Sequence, residues 1–269
     1  MSGPTAALAV NALEEELEEA VAFCREEGVG LEVTAFAWPA SLDDGFRARL
    51  ERHVAALDGV APVLLHGPFL DLYPASPDPK IVAVARRRHE TALEAAAAVG
   101  AGTYVAHLNS IPLIRNPAYR DRFAAAAAEF WLPLADRAGR SGTTVVLENM
   151  WEPGPDLQRR VVDAAGHPHL KASFDNGHAL VFSDVSAPAW IRELGGDLAH
   201  AHLHDNGGEV DAHLPVGEGT EDWPALFSAL GEHAPGAVLV AESDRLEPNR
   251  RSLAALRKLS GVQPPEADP

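Results

Sequence analysis

A chain of 269 residues that is 46% hydrophobic and 23% charged carries enough apolar material for a sizeable core and is not the composition of a disordered chain. Its formal net charge of −17, from 22 Lys and Arg against 39 Asp and Glu, repels polyanions at long range and argues against nucleic acid as a partner. Cys24 is the single cysteine, so an intrachain disulfide and a cysteine-built zinc site are both excluded, and any metal must be held by histidine and carboxylate.

The N-terminus, MSGPTAALAVNALEEELEEA, has no basic start and turns acidic after a brief apolar run, which is the pattern of neither a secretory signal nor a membrane span. A cytoplasmic protein is the expectation. Short apolar runs rich in β-branched residues predict strands over 6–11, 31–36, 62–67, 103–108, 144–149, 170–175, 198–205 and 237–243. Between them, stretches rich in Ala, Leu, Arg and Glu predict helices over 13–27, 46–57, 78–99, 116–139, 156–165, 187–194, 222–232 and 246–259. Asp78-Pro79, Gly100 and Asp222 supply start and stop signals. The nearest approach to a basic run, Arg86, Arg87 and Arg88, falls in the middle of the third helix, where it reads as a solvated face.

Strand–helix units that alternate without a linker predict an α/β fold, a single (β/α)8 TIM barrel over residues 1–260, with a doubly wound open sheet as the other arrangement the pattern allows. Residues 261–269 are expected to form a flexible C-terminal tail.

Barrel active sites lie on the loops that follow the strands. Those strand ends give His66, His107, Glu148, Asp175 with His178, His202 with His204, and Glu242, so six consecutive strands deliver a metal-type side chain at one end. His200, His202 and His204 share a face by strand alternation, but neighbours on one face stand about 6.6–6.8 Å apart while a zinc–nitrogen bond is about 2.0–2.1 Å. His202 is the expected ligand, His204 is expected to meet substrate or the loop, and His200 is expected deeper. Asn176-Gly177 reads as a turn that brings His178 back over the mouth. Asp211 and His213, two apart in a loop punctuated by Gly and Pro, can address one ion.

Glu148 and Glu242 are both aimed at the barrel axis, where two unpaired carboxylates are costly to ionise and a divalent cation between them compensates. Lys171, on the same inward face as Ser173 and Asp175, is the other candidate partner. His53, His89, His167, His169 and His233 read as surface or capping residues. Trp38, Phe69, Tyr73, Arg115 and Trp151 fall in loops on the catalytic side and suit stacking on a sugar or holding an anion, or loop packing. Gly217 and Gly219 offer backbone N–H groups to a phosphate.

With HGPF at 66, ENM at 148, FDNGH at 174, HLHDN at 202, DAHLPVGEG at 211 and AES at 241 in view, the chain resembles the xylose isomerase-like TIM-barrel superfamily from about Leu31 to Ser260. That group contains sugar-phosphate isomerases and epimerases and the abasic-site endonucleases of the endonuclease IV type (AP endonuclease family 2). The resemblance implies a core metal site at Glu148, Asp175, His202 and Glu242. The trinuclear endonuclease pattern would add His66, His107, His178, Asp211 and His213, so one to three divalent ions per chain (Mn, Zn, Co or Mg) are implied. Where the endonuclease branch carries His-Pro-Gly-Ser this chain has His107-Leu108-Asn109-Ser110, and in place of a lysine-containing loop it has Asp205-Asn206-Gly207-Gly208. The wording of HLHDN and HLPVGEG is closer to the sugar-phosphate isomerase/epimerase branch.

The expected function is therefore metal-dependent isomerisation or epimerisation of a sugar, sugar phosphate or related hydroxy-carbonyl small molecule, with proton transfer between Glu148 and Glu242 as catalytic residues. The alternative is a two- or three-metal phosphodiesterase, which would give His66, His107, Asp211 and His213 a purpose. A barrel that keeps a metal only for stability is the third reading.

Overall fold

The computed structural model describes residues 6–114 and 116–261. Arg115 and residues 262–269 of the expected tail lie outside the described residues. Eight parallel strands, β1 (Leu8–Ala12), β2 (Gly30–Val33), β3 (Val63–His66), β4 (Thr103–His107), β5 (Thr144–Glu148), β6 (Leu170–Asp175), β7 (Leu198–Leu203) and β8 (Val238–Ala241), run in chain order around a closed barrel. Closure is made by β8 pairing with β1 through Leu8 to Leu239 and Val10 to Ala241, which removes the open-sheet alternative. Helices α1 (Leu17–Glu27), α2 (Phe46–Ala56), α3 (Pro79–Ala98), α4 (Pro117–Gly139), α5 (Asp156–Ala165), α6 (Asn176–Phe182), α7 (Ala187–Leu194), α8 (Trp223–His233) and α9 (Leu246–Ser260) follow the strands. Among the described residues no helix is long and apolar enough to cross a membrane.

Strand alternation sorts the interior into two parts. Outward positions such as Leu31, Leu65, Ala106, Leu147, Phe174 and Leu239 join the helices in the main core, which holds the fully buried Trp131 and Trp190. Inward positions form a separate small cluster of Ala9, Leu64 and Val240 low in the barrel. Directly above it the same inward parity delivers His66, His107, Glu148, Asp175, His202 and Glu242, so the alternation that fills the barrel floor with hydrocarbon also gathers the polar residues at its mouth.

Three expectations are corrected. Helix α6 was not anticipated: Asn176-Gly177 is its first turn, because Asp175 caps it by accepting from the His178 N–H at 2.6 Å. His53 and His89 are helical but buried rather than surface residues. The His53 ring packs on Phe36, and His89 Nδ1 lies 2.8 Å from the Tyr104 hydroxyl with its ring against Trp131. Lys171 pairs with Asp197, Nζ to Oδ1 at 2.5 Å, and not with either axial glutamate.

Candidate metal centre

Glu148, at the end of β5, joins two groups of side chains. Its Oε1 lies 3.4 Å from His202 Nδ1 and 3.4 Å from His178 Nδ1. Its Oε2 lies 3.5 Å from His66 Nε2 and 3.4 Å from His107 Nε2. His202 Nδ1 also stands 3.2 Å from Glu242 Oε2 and 3.8 Å from Asp175 Oδ2, which completes a four-residue core of Glu148, Asp175, His202 and Glu242. A third group sits beside it: Asp211 Oδ2 is 3.3 Å from His178 Nε2 and 3.1 Å from His213 Nε2. All nine residues singled out from the sequence are thus brought to one end of the barrel.

Each group fits a divalent cation on its own donor chemistry. Oxygen and nitrogen ligands about 2.0–2.1 Å from a tetrahedral ion stand about 3.3–3.4 Å from one another, close to the separations within these groups. His202 Nδ1, Glu148 Oε2 and Glu242 Oε2 are buried and, among the described residues, have no hydrogen-bond partner. The neighbouring backbone fixes which ring nitrogen is turned inward. His66 Nδ1 donates to the Gly67 carbonyl at 2.8 Å and His178 Nδ1 to the Asn149 carbonyl at 3.0 Å, so each leaves Nε2 as the lone-pair nitrogen. Asn149 in turn clamps the end of β6, accepting from the Asp175 N–H and donating to its carbonyl, both at 2.9 Å. Gly177 is required by close approach: a Cβ there would lie 1.9 Å from the His204 ring.

The loop after β7 is pinned by Asp205, a buried carboxylate that accepts from the N–H groups of Asn206, Gly217 and Glu221 and from Trp223 Nε1. The Gly217 N–H considered for phosphate is therefore already used. His213 itself sits at φ +45°, a left-handed conformation that costs energy for a non-glycine residue and turns its ring toward Asp211. His204, expected to face substrate or the loop, is fully buried, with Nε2 3.3 Å from Asp175 Oδ2 and its ring centre 4.2 Å from that of His213. His200 lies deeper, as expected, with Nδ1 2.7 Å from the Ser173 hydroxyl.

One participant was missed in the sequence. Glu32 on β2 is fully buried, accepts from His202 Nε2 at 2.9 Å and lies 3.3 Å from His200 Nε2. Its signal was the inward parity of Gly30, Glu32 and Thr34 against the outward Leu31 and Val33.

A cavity of about 390 Å³ opens beside the centre and is lined by Asn11, Thr34, Trp38, Phe69, His66 and Glu242, among others. Glu242 borders it and is 14% exposed, whereas Glu148 is 1% exposed and does not reach it. Phe69 stacks on His107 at 4.8 Å and meets Trp38 at 5.6 Å, forming one apolar wall. Asn109 holds that wall, donating to the carbonyls of Phe69 at 2.9 Å and Leu72 at 2.7 Å from a left-handed backbone. It occupies the place of the glycine in His-Pro-Gly-Ser. Tyr73 and Trp151 are partly exposed and outside this cavity's lining.

Burial would push the His202 imidazole toward its neutral form, but Glu242, Glu32 and Glu148 hold its pKa well above the usual range. His178 is raised in the same way against its burial by Asp175, Asp211 and Glu148. His213 is raised to about 9, where Asp211 and Glu242 outweigh burial. Burial instead wins at His107, whose pKa falls to about 3. Burial would raise Glu148, yet His107, His202 and His178 hold it well below the usual range, while Glu242 is raised by burial with Asp175 and Glu148 nearby.

These protons must leave before the rings can act as ligands. Metal loading near neutral pH is expected to release protons to the buffer, with apparent affinity increasing as pH rises toward about 9 by about tenfold per pH unit per displaced proton. Calorimetric titration in buffers of different ionisation enthalpy measures this directly, and uptake without proton release would contradict it.

Comparison with known proteins places the chain in a family. The model of the xylose isomerase-like TIM barrel matches residues 3–259. The TTHB071 protein from Thermus thermophilus, in a structure from a crystal soaked with ZnCl2, is 30% identical, with a TM-score of 0.79 over 94% of this chain and 98% of that one. A D-tagatose 3-epimerase-like protein, 22% identical, superposes with a TM-score of 0.77 over 94% of this chain and 96% of the other. The uncharacterised protein MJ1311 of Methanocaldococcus jannaschii is 25% identical over 73% of this chain and 69% of its own length. With a closed eight-stranded barrel and a family match over nearly its whole length, the chain belongs to the xylose isomerase-like TIM-barrel family.

Proposed function

We propose that this protein is a divalent-metal-dependent isomerase or epimerase acting on a sugar, sugar phosphate or related hydroxy-carbonyl compound. The observation that carries the reading is the placement of two carboxylates, Glu148 and Glu242, 3.4 and 3.2 Å from the same His202 nitrogen, with Glu242 bordering the cavity. Structural neighbours named as a D-tagatose 3-epimerase-like protein, a D-psicose 3-epimerase and a 3-keto-D-glucoside 4-epimerase support it as relatives in fold.

Glu148, Asp175, His202 and Glu242 would hold the ion, which when bound supplies Lewis-acid polarisation of a carbonyl and its adjacent hydroxyl. Glu242 borders the cavity and is the more exposed of the two glutamates, so it is the group placed to take a carbon-bound proton. Glu148 would be the second group, returning a proton that it must first take up, since its imidazole neighbours hold it ionised. Trp38 and Phe69 offer an apolar wall for the carbon face of the substrate, and Asn11 and Thr34 offer polar groups for its hydroxyls.

Reconstituted enzyme incubated in D2O with a panel of ketoses and ketose phosphates is expected to introduce deuterium beside the carbonyl. Glu242→Gln should slow that exchange by about 10²–10⁴-fold. Exchange at the wild-type rate in the variant would remove Glu242 from the mechanism.

A second reading, hydrolysis of a phosphoester by two or three ions, is favoured by one specific observation: each oxygen of Glu148 faces a different group of imidazoles, and the Asp211 group adjoins them. In that reading Glu148 would be a ligand common to two donor groups and would carry no proton, and bound ions would supply hydroxide and charge stabilisation for the leaving oxygen. Cleavage of a generic phosphodiester, with no deuterium exchange on any sugar, would select it.

A further inference from the structure

Beneath the donor groups the inward positions Ala9, Leu64, Val105, Val146 and Val240 are fully buried hydrocarbon. Glu32, Ser173 and His200 stand among them, also fully buried. Glu32 does not line the cavity, so it is not placed to touch substrate. Filling the same space with hydrocarbon would cost less than an ionised carboxylate with imidazole partners. What distinguishes Glu32 is the atom it meets.

A neutral imidazole has one N–H and one lone pair. Glu32 Oε1 lies 2.9 Å from His202 Nε2, so a proton held there leaves the lone pair on Nδ1. Nδ1 is the nitrogen 3.2 Å from Glu242 and 3.4 Å from Glu148. The other oxygen of Glu32 faces His200 Nε2 at 3.3 Å, and the Ser173 hydroxyl, 2.7 Å from His200 Nδ1, donates to that nitrogen and reserves the Nε2 proton for Glu32. The chain Ser173, His200, Glu32, His202 therefore admits one consistent assignment of protons, with His200 Nε2 and Glu32 Oε2 in ion-pair contact and not hydrogen-bonded. By spacing alone Glu32, His200 and His202 would also admit a cation. That arrangement would strip both nitrogens of His202 of protons if the core site were filled as well, and it would leave Glu32 without a donor.

We propose that Glu32 is the positioning residue of the metal centre: it keeps the His202 proton on Nε2, fixes the ring with Nδ1 toward Glu148 and Glu242, and places negative charge behind the ligand. The His200–Ser173 pair holds Glu32 in turn. The inference rests on the reading of Glu148, Asp175, His202 and Glu242 as the residues that hold the ion. Partners of this kind change metal affinity by about 10–100-fold when removed.

The test is calorimetric titration of Zn²⁺ or Mn²⁺ into metal-free wild type and Glu32→Gln, with melting curves of both in chelator. Glu32→Gln should bind the tightest ion about 10–100-fold more weakly, and its metal-free melting temperature should fall, because one member of a buried ion pair is removed. Equal affinity in the two proteins, each titrated at a temperature where it is fully folded, overturns the proposal, since a purely structural role would lower the melting temperature and leave the affinity of the folded protein unchanged. Absence of binding in the wild type overturns the metal-site reading itself, and is told apart because no variant is needed to see it. If Glu32→Gln does not fold, imidazole ¹⁵N spectra of zinc-loaded wild type decide: His202 protonated on Nε2 supports the proposal, and protonation on Nδ1 refutes it.

Discussion

Glu148→Gln is expected to weaken two donor groups with one substitution and to lower metal affinity and turnover by at least about 10³-fold, more than one oxyanion-type contact supplies. The reason is geometric. One oxygen of Glu148 stands 3.4 Å from His202 and from His178, and the other stands 3.5 and 3.4 Å from His66 and His107. An amide offers a single neutral acceptor and points N–H groups at whichever imidazoles its nitrogen faces, so one group loses its anion and the other meets a donor. His66→Ala provides the comparison, because it removes one ligand from one group. Metal analysis and calorimetry of the two variants should show the larger loss in Glu148→Gln, with the group of His178, Asp211 and His213 keeping whatever ion it binds. A Glu148→Gln protein that loses no more metal than His66→Ala would show that the carboxylate does not join the two groups.

His202→Ala should remove the core ion and also destabilise the metal-free protein by about 3–5 kcal/mol, the cost of breaking a buried ion pair from one side. The ring meets Glu32, Glu148 and Glu242 at 2.9, 3.4 and 3.2 Å, and all three carboxylates lose a cationic neighbour when it is cut away. Glu32 is left fully buried with His200 as its remaining ion-pair partner. His213→Ala is the contrasting variant: its side chain is 21% exposed and pairs with Asp211, itself 24% exposed, and its loss should empty only the Asp211 group. Denaturant titrations in chelator separate the stability effect from metal loss. A His202→Ala protein with unchanged metal content and unchanged melting would remove His202 from the centre.

The barrel and the nine clustered residues were legible for a shared reason. Short β-branched runs alternate with helical stretches, and a barrel assigns chemistry to one end of every strand, so reading off strand ends was enough to collect Glu148, Asp175, His202 and Glu242. The Asp211–His213 pair was readable because it lies in a loop where two residues suffice.

Glu32 was not read. Its partner His202 lies 170 positions away, and only closure of the barrel brings β2 within reach of β7. Applied to β2, strand parity would have pointed it inward. Helix α6 escaped because Asp175-Asn176-Gly177 has turn chemistry and the helix is only seven residues long. His53 and His89 were misjudged because a lone histidine in a helix carries no sign of which face is packed, and Phe36 and Tyr104, their partners, lie on other elements.

The claim on which the account turns is that Glu148, Asp175, His202 and Glu242 hold a divalent ion. It is tested most directly by elemental analysis of protein purified without added metal or chelator, beside His202→Ala prepared in the same way. At least one zinc, manganese, cobalt or magnesium ion per wild-type chain, absent from the variant, is the predicted result. A single ion supports the isomerase or epimerase reading, and two or three support phosphoester hydrolysis. Wild-type protein that contains no metal and takes none up, or a His202→Ala variant that keeps the full wild-type complement, would contradict it.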